Sequence, residues 1–140
     1  GLIPAEEQYR FLSVSAPYLE LIEDFTLLEQ LQFHFRFKGI RYEKSLEDLT
    51  TIGFFKGEET KLIRQFSSGM KQRLKLILAL YSDVPVVFLD EPTTNLDVKG
   101  IEWYQNQIQQ LQIPLLIVAS NQEQEYLFCE EKINLETLKN

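Results

Sequence analysis

Two short apolar runs, PVVFLD at 85–90 and PLLIVAS at 114–120, constrain the fold of this chain more than any other feature of its sequence. Each opens on a proline and is dense in β-branched and aliphatic side chains, the pattern of a strand buried on both faces of a parallel sheet. Residues 98–111 between them read as a helix. Strand, helix and strand at this spacing predict a βαβ unit. A final helix near 122–128 and a short strand at Lys132 to Leu135 are expected to complete an α/β half-domain.

The chain ahead of these runs has a different character. Residues 10–16, RFLSVSA, alternate loosely up to Pro17 and predict one short strand running into a loop. Thr26 followed by Glu29 has capping-box spacing, and apolar residues recur from Leu27 to Phe37 before Gly39, so a helix is expected from about 26 to 38. Ser45 with Asp48 marks a second, shorter helix start. A third short helix is expected around 58–64. Ser67 or Ser68 can then cap a helix through MKQRLKLILALYS, whose second half is apolar enough to be buried on nearly all sides. Asp83 to Pro85 ends it.

Composition narrows the function classes. With 140 residues and a hydrophobic fraction of 44%, the chain has the material for one ordinary core. Its formal charge of −7 argues against general nucleic-acid binding, which rests on Lys and Arg. Cys129 stands alone, so no internal disulfide forms. The start, GLIPAEEQ, has neither a basic nor an apolar segment of the kind a secretory signal needs, which makes the cytoplasm the expected compartment. The apolar runs fall far short of the roughly 20 residues that span a bilayer.

Two stretches carry chemistry. In α/β sheets, functional groups collect beyond the carboxyl ends of the strands, and PVVFLD runs out into Asp90 and Glu91 at such an end. One carboxylate there can hold a magnesium ion, often through water, while the next orients or deprotonates an attacking water. A pair of solvated acids capping a strand has the same appearance. The second stretch is FSSGMKQR at 66–73. Small residues at a helix start leave backbone N–H groups open to an anion, and the helix dipole adds positive character. An ordinary serine-capped helix reads the same way.

Taken together, these residues resemble the ATP-binding cassette (ABC) ATPases. FSSGM at 66–70, followed by Lys71, Gln72 and Arg73, resembles that family's signature loop. VVFLDEP at 86–92 is similar to its Walker B strand, and TTNLD at 93–97 to its D-loop. Upstream, APYLELIEDFTLLEQLQFHFRFKG resembles the passage from the Q-loop into the helical subdomain. The motifs agree in order and in expected structural context. The implied fold is α/β, a partial P-loop NTPase (RecA-like) parallel sheet with an α-helical subdomain. Residues 1–17 are then the end of a core strand and the Q-loop region. Residues 18–82 are the helical subdomain with the signature motif, and 83–140 the RecA-like part with Walker B, D-loop and switch region.

The resemblance also implies roles. Asp90 would hold magnesium through water, Glu91 would polarise the hydrolytic water, and Asp97 would communicate across a dimer. Two cassettes would pack head to tail, with Ser67, Ser68, Gly69, Met70, Lys71 and Gln72 facing ATP bound by the partner. A separate integral membrane permease would be the working partner, placing the chain in the cytoplasm against the inner face of the cell membrane.

Some positions depart from the family pattern. None of the six glycines is followed by Lys and then Ser or Thr, so residues 1–140 contain no phosphate loop. The chain reads as a cassette without its N-terminal part, expected to be inactive alone. The Q-loop glutamine position falls near Ala16, which cannot coordinate a metal. The switch histidine position falls at Asn121, which can hydrogen-bond to a phosphate but cannot carry a proton at neutral pH. His34, Phe33, Phe35, Phe37, Phe54, Phe55, Trp103, Tyr104 and Cys129 read first as structural or core residues, with exposed aromatics of the helical region as a possible permease contact. The expected function is ATP hydrolysis coupled to transport. A non-transport ABC ATPase and a non-catalytic interaction module are the alternatives.

Overall fold

The computed structural model describes residues 10–131. Three parallel strands, β1 (Leu12–Ser15), β2 (Val86–Asp90) and β3 (Leu115–Ala119), lie in the order β1-β2-β3. The register sets Ser15 opposite Leu89 and Asp90 opposite Ala119. Helix α4 (Val98–Gln110) connects β2 to β3, which completes the βαβ unit. The longer excursion between β1 and β2 holds α1 (Leu27–Phe35), α2 (Leu46–Ile52) and α3 (Ser68–Leu80).

Each helix starts where a short polar side chain can satisfy its first free amides. Thr26 and Glu29 form a reciprocal capping box at α1, as do Ser45 and Asp48 at α2. Ser67 Oγ accepts from Met70 N at 3.1 Å to cap α3, and Asp97 Oδ1 accepts from Gly100 N at 2.8 Å to cap α4. Helix α1 ends earlier than its apolar pattern suggests, with Arg36 as its C-cap.

The helix expected at 58–64 does not form; only Ile63–Gln65 make a tight 3-10 turn. Backbone bonds of this stretch go to another segment. Leu27 N and Leu28 N donate to Lys61 O and Glu59 O, while Ile63 N and Arg64 N donate to Phe25 O and Glu23 O. A backbone satisfied across a loop has no need of helical bonds. The helix expected at 122–128 is likewise reduced to a 3-10 turn at Glu123–Glu125. The strand expected at 132–135 lies outside the described residues.

One continuous apolar cluster joins the helical excursion to the sheet, with Leu27, Leu49, Phe55, Leu74, Ile77 and Leu89 among its buried members. Helix α3 lies against β1 and β2. Its second half is enclosed as its sequence implies, from Leu76 to Tyr81. The sheet buries Ser13, Ser15, Val87 and Leu89 completely, and Ser13 Oγ donates to Ala79 O of α3 at 2.6 Å. The opposite face carries Leu12, Val14, Val86 and Phe88, only partly covered, and Leu115 and Ile117, 50% and 42% exposed. Two-sided burial of these strands is therefore not reached among the described residues, because the packed helix α3 meets one face.

Arg41 fixes the junction from α3 into β2. Its side chain is buried, with Nε donating to Leu80 O at 2.9 Å and Nη2 to Ser82 O and Val84 O at 2.7 and 2.8 Å. Its backbone N donates to Tyr81 O. Leu80 O and Tyr81 O are carbonyls of the kind a helix C-terminus leaves unpaired, while Ser82 O and Val84 O belong to the turn that follows it.

Candidate nucleotide site

The carboxyl ends of the strands place the candidate residues along one edge. Asp90 closes β2, half-buried, and Glu91 follows it into solvent. Glu91 adopts a left-handed backbone, φ 48°, and its N–H donates to Ala119 O at 2.9 Å, which binds the exit of β2 to the end of β3. Ser120 and the exposed Asn121 come next. Parallel register thus brings Asp90, Glu91 and Asn121 to the same edge, although Asn121 is 31 residues past Asp90 in sequence. Ala16 follows β1 at this edge, 2% exposed and with no side-chain donor or acceptor.

The loop from Glu91 to Asp97 is internally bonded. Thr94 N donates to Glu91 O and Leu96 N to Thr93 O, and Asn95 takes a second left-handed conformation, φ 67°. Its end is fixed by Asp97, the cap of α4.

At the start of α3, Met70 N is taken by Ser67 Oγ and Lys71 N by Ser67 O. The amides of Ser68 and Gly69 belong to the first turn, where a helix supplies no internal acceptor. They are the groups this terminus offers to an anion, with the helix dipole behind them. Serine 67 and Ser68 are exposed and Gly69 partly so. A Cβ on Gly69 would meet Asn95 O at 3.2 Å, so the glycine permits the close approach of the α3 start to the loop after β2. Ser67, Gly69, Met70, Arg73, Asn95 and Asp97 line part of a cleft of about 450 Å³.

Lys71 and Gln72 take other tasks within this chain. Lys71 Nζ pairs with Glu23 at 2.6 Å, and Gln72, 6% exposed, donates from Nε2 to Pro92 O at 2.7 Å. Gln72 therefore ties α3 to the residue directly after Glu91. Arg73 donates to Gly53 O at 3.0 Å and lies over the rings of Phe55 and Phe54, so it anchors α3 to the end of α2. Burial works against its positive charge, and the Asp97 carboxylate opposes that effect.

Two site residues escape sequence reasoning. Glu125 is 1% exposed and accepts from Thr93 N and Thr93 Oγ1, both at 2.6 Å, and from Ser120 Oγ. In the run NQEQEY nothing distinguishes it from Glu123; only the fold turns one inward. Ser120, read as a strand end, is its second partner.

The donor set suits a magnesium ion that is mostly ligated by non-protein oxygens. Among the described residues no group of three or more His, Cys, Asp or Glu is placed to hold a metal ion. Asp90 can supply one hard oxygen, and magnesium characteristically keeps several waters and takes phosphate oxygens beside one or two carboxylates. His34, by contrast, is remote from this edge in role: its Nε2 is bonded to Ser82 Oγ at 2.8 Å. Burial, helped by Lys38, pushes its pKa down to about 4.

The parallel α/β sheet with its helical excursion matches the P-loop NTPase fold of ABC cassettes. Residues 10–94 match the family model described as ABC transporter, and the chain belongs to that family as an ABC ATPase domain. It is 28% identical over 100 residues to ABC transporter F family member 2 of Arabidopsis thaliana, a match covering 71% of this chain and 15% of that protein. Its fold is similar to a solved ATP-binding subunit of an ABC transporter, with TM-score 0.74, 22% identity, and coverage of 90% of this chain and 55% of that one. A dimeric bacterial ABC transporter cassette matches with TM-score 0.65 and 20% identity, over 81% of this chain and 54% of that one. The chain thus spans little more than half the length of these solved relatives and a small part of the plant protein.

Proposed function

We propose that the chain is part of the ATP-binding subunit of an ABC transporter, coupling ATP binding and hydrolysis to transport through a separate membrane permease. The observation that supports the ATPase part of this reading is the placement of Asp90, Glu91 and Asn121 along one sheet edge, set by the register of Asp90 with Ala119. In this reading Asp90 holds the hydrated magnesium, which neutralises phosphate charge, and Glu91 orients and deprotonates the attacking water. Asn121 donates a hydrogen bond to phosphate at the switch position without carrying a proton.

Ser67, Ser68 and Gly69 serve ATP held by a second cassette in a head-to-tail dimer, with Met70, Lys71 and Gln72 holding the start of α3 and Asp97 the D-loop beside it. The dimeric form of one structural relative supports this arrangement. Residues 18–82 act as the helical subdomain and 83–140 as the half of the core that carries Walker B. Phe33 and Phe37, 45% and 64% exposed, offer an aromatic surface for a permease at the inner face of the membrane. No described helix is long and apolar enough to cross a membrane itself.

Since residues 1–140 contain no Gly-Lys-Ser or Gly-Lys-Thr, the cradle for the β- and γ-phosphates comes from outside them, and the chain alone hydrolyses ATP negligibly. ATP binding and hydrolysis measured on this chain, and on a chain extended N-terminally to include such a loop, test the reading. Activity is expected only in the extended chain and is lost on Glu91→Gln. Hydrolysis by the 140-residue chain, or survival of activity in Glu91→Gln, overturns it.

A further inference from the structure

We infer that Glu125 is a positioning residue that binds the loop after β2 and the end of β3 into one unit, holding Glu91 and Asn121 in a fixed relation. Its consequence for catalysis rests on the function proposed above; the coupling itself rests on geometry alone. A carboxylate is almost never fully buried unless its charge is met by donors. Here the two oxygens of one planar group divide between two segments. Oε2 accepts from both Thr93 N and Thr93 Oγ1, and Oε1 is bonded to Ser120 Oγ.

The position of these partners gives the contact its meaning. Thr93 lies two residues beyond Glu91, and Ser120 lies immediately before Asn121. The loop that carries Glu91 contains two left-handed non-glycine residues, Glu91 and Asn95, a conformation that persists only when surrounding contacts hold it. The Glu125 carboxylate provides such a contact in the middle of that loop. The glutamate is itself held to α4, since Tyr104 Oη donates to Glu125 O at 2.8 Å and Gln105 Nε2 to Gln124 O at 3.0 Å. Hydrogen bonds to an ionised acceptor are stronger and shorter than neutral ones. The isosteric Glu125→Gln replaces one accepting oxygen with an amide NH₂, so Ser120 Oγ can meet it only as an acceptor, with its own proton turned to Gln122 O, and the charge that strengthens the bonds to both segments is lost.

Amide hydrogen exchange of the 140-residue chain tests the coupling directly. Glu125→Gln is expected to speed exchange across 91–97 and 119–122 together, by about tenfold or more, and to leave α1 and α2 unchanged, since local opening follows local contacts. Acceleration confined to one of the two segments, or spread evenly through α1 and α2, overturns the inference. Should Glu125→Gln fail to fold, Thr93→Val and Ser120→Ala take its place: each must loosen both segments, and Thr93→Ser, which keeps both donors, must loosen neither. In the chain extended to include a phosphate loop, Glu125→Gln should lower kcat by about 10- to 100-fold with KM for ATP within about twofold, the mark of displaced catalytic groups. A rise in KM at constant kcat counts against positioning. An unsubstituted extended chain that does not hydrolyse ATP refutes the functional reading, and the exchange result still decides the coupling.

Discussion

Arg41→Met should destabilise the chain far more than an ordinary surface arginine substitution. The side chain is 4% exposed and its guanidinium serves three carbonyls, Leu80 O, Ser82 O and Val84 O, at the turn that leads from α3 into β2. Burial disfavours its charge, and Asp83 offsets part of that cost. Methionine fills similar volume but donates nothing. Ser82 O keeps the Val84 N–H, so two carbonyls, Leu80 O and Val84 O, are left unpaired and the third loses a charge-assisted bond; at roughly 1–3 kcal/mol for each group left unpaired, less what entering water restores, the net loss is about 3–4 kcal/mol. With a urea m-value of about 2 kcal/mol/M, reasonable for a chain of this size, that loss lowers the unfolding midpoint by about 1.5–2 M. Circular dichroism at 222 nm together with fluorescence of Trp103, which is buried on α4, follows the transition. Arg41→Lys should recover only part of the loss, because an ammonium is a compact point donor and cannot reproduce the guanidinium fork. A midpoint shift below about 0.5 M, or full recovery with lysine, would mean that these carbonyls are solvated and that Arg41 does not set the entry to the strand bearing Asp90.

His34 gives the chain a pH dependence of definite sign. Its pKa falls from 6.5 unfolded to about 4 folded, so the unfolded state takes up the proton first: the contribution is complete above about 6.5 and is lost as pH drops toward 4. Midpoints measured between pH 7 and 4 should fall less steeply in His34→Gln, and parallel curves would sink the assignment. Gln72→Ala leaves Pro92 O without its donor and should cost about 1–3 kcal/mol in thermal or urea unfolding; a smaller effect would show that water replaces the amide. Asp97→Ala removes the cap of α4 and should cost about 1 kcal/mol, whereas Asp97→Asn should cost less because asparagine caps equally well.

What the sequence reveals and what it hides separate along a physical line. Apolar periodicity and cap spacing report local events, and they locate β1, β2, β3, α3 and α4 because each of these is specified by its own residues. The acids at 90 and 91 and the SSG start of α3 are legible for the same reason. Residues 58–64 fail because their backbone bonds run to residues 23–28, and no propensity within EETKLIR records that partner. Aromatic residues mislead in the same direction: Phe55 is core, but Phe33, Phe37 and Phe54 are exposed, since burial depends on which helix face meets a neighbour. The polar contacts that hold the site are the least legible of all. Thr93 and Glu125 are 32 residues apart, and Arg41 reaches carbonyls 39 to 43 residues away. A charged side chain reads as solvent-facing until the fold supplies its donors or acceptors, so the residues that fix the candidate site in place are concealed by the same polarity that makes the acids at 90 and 91 conspicuous.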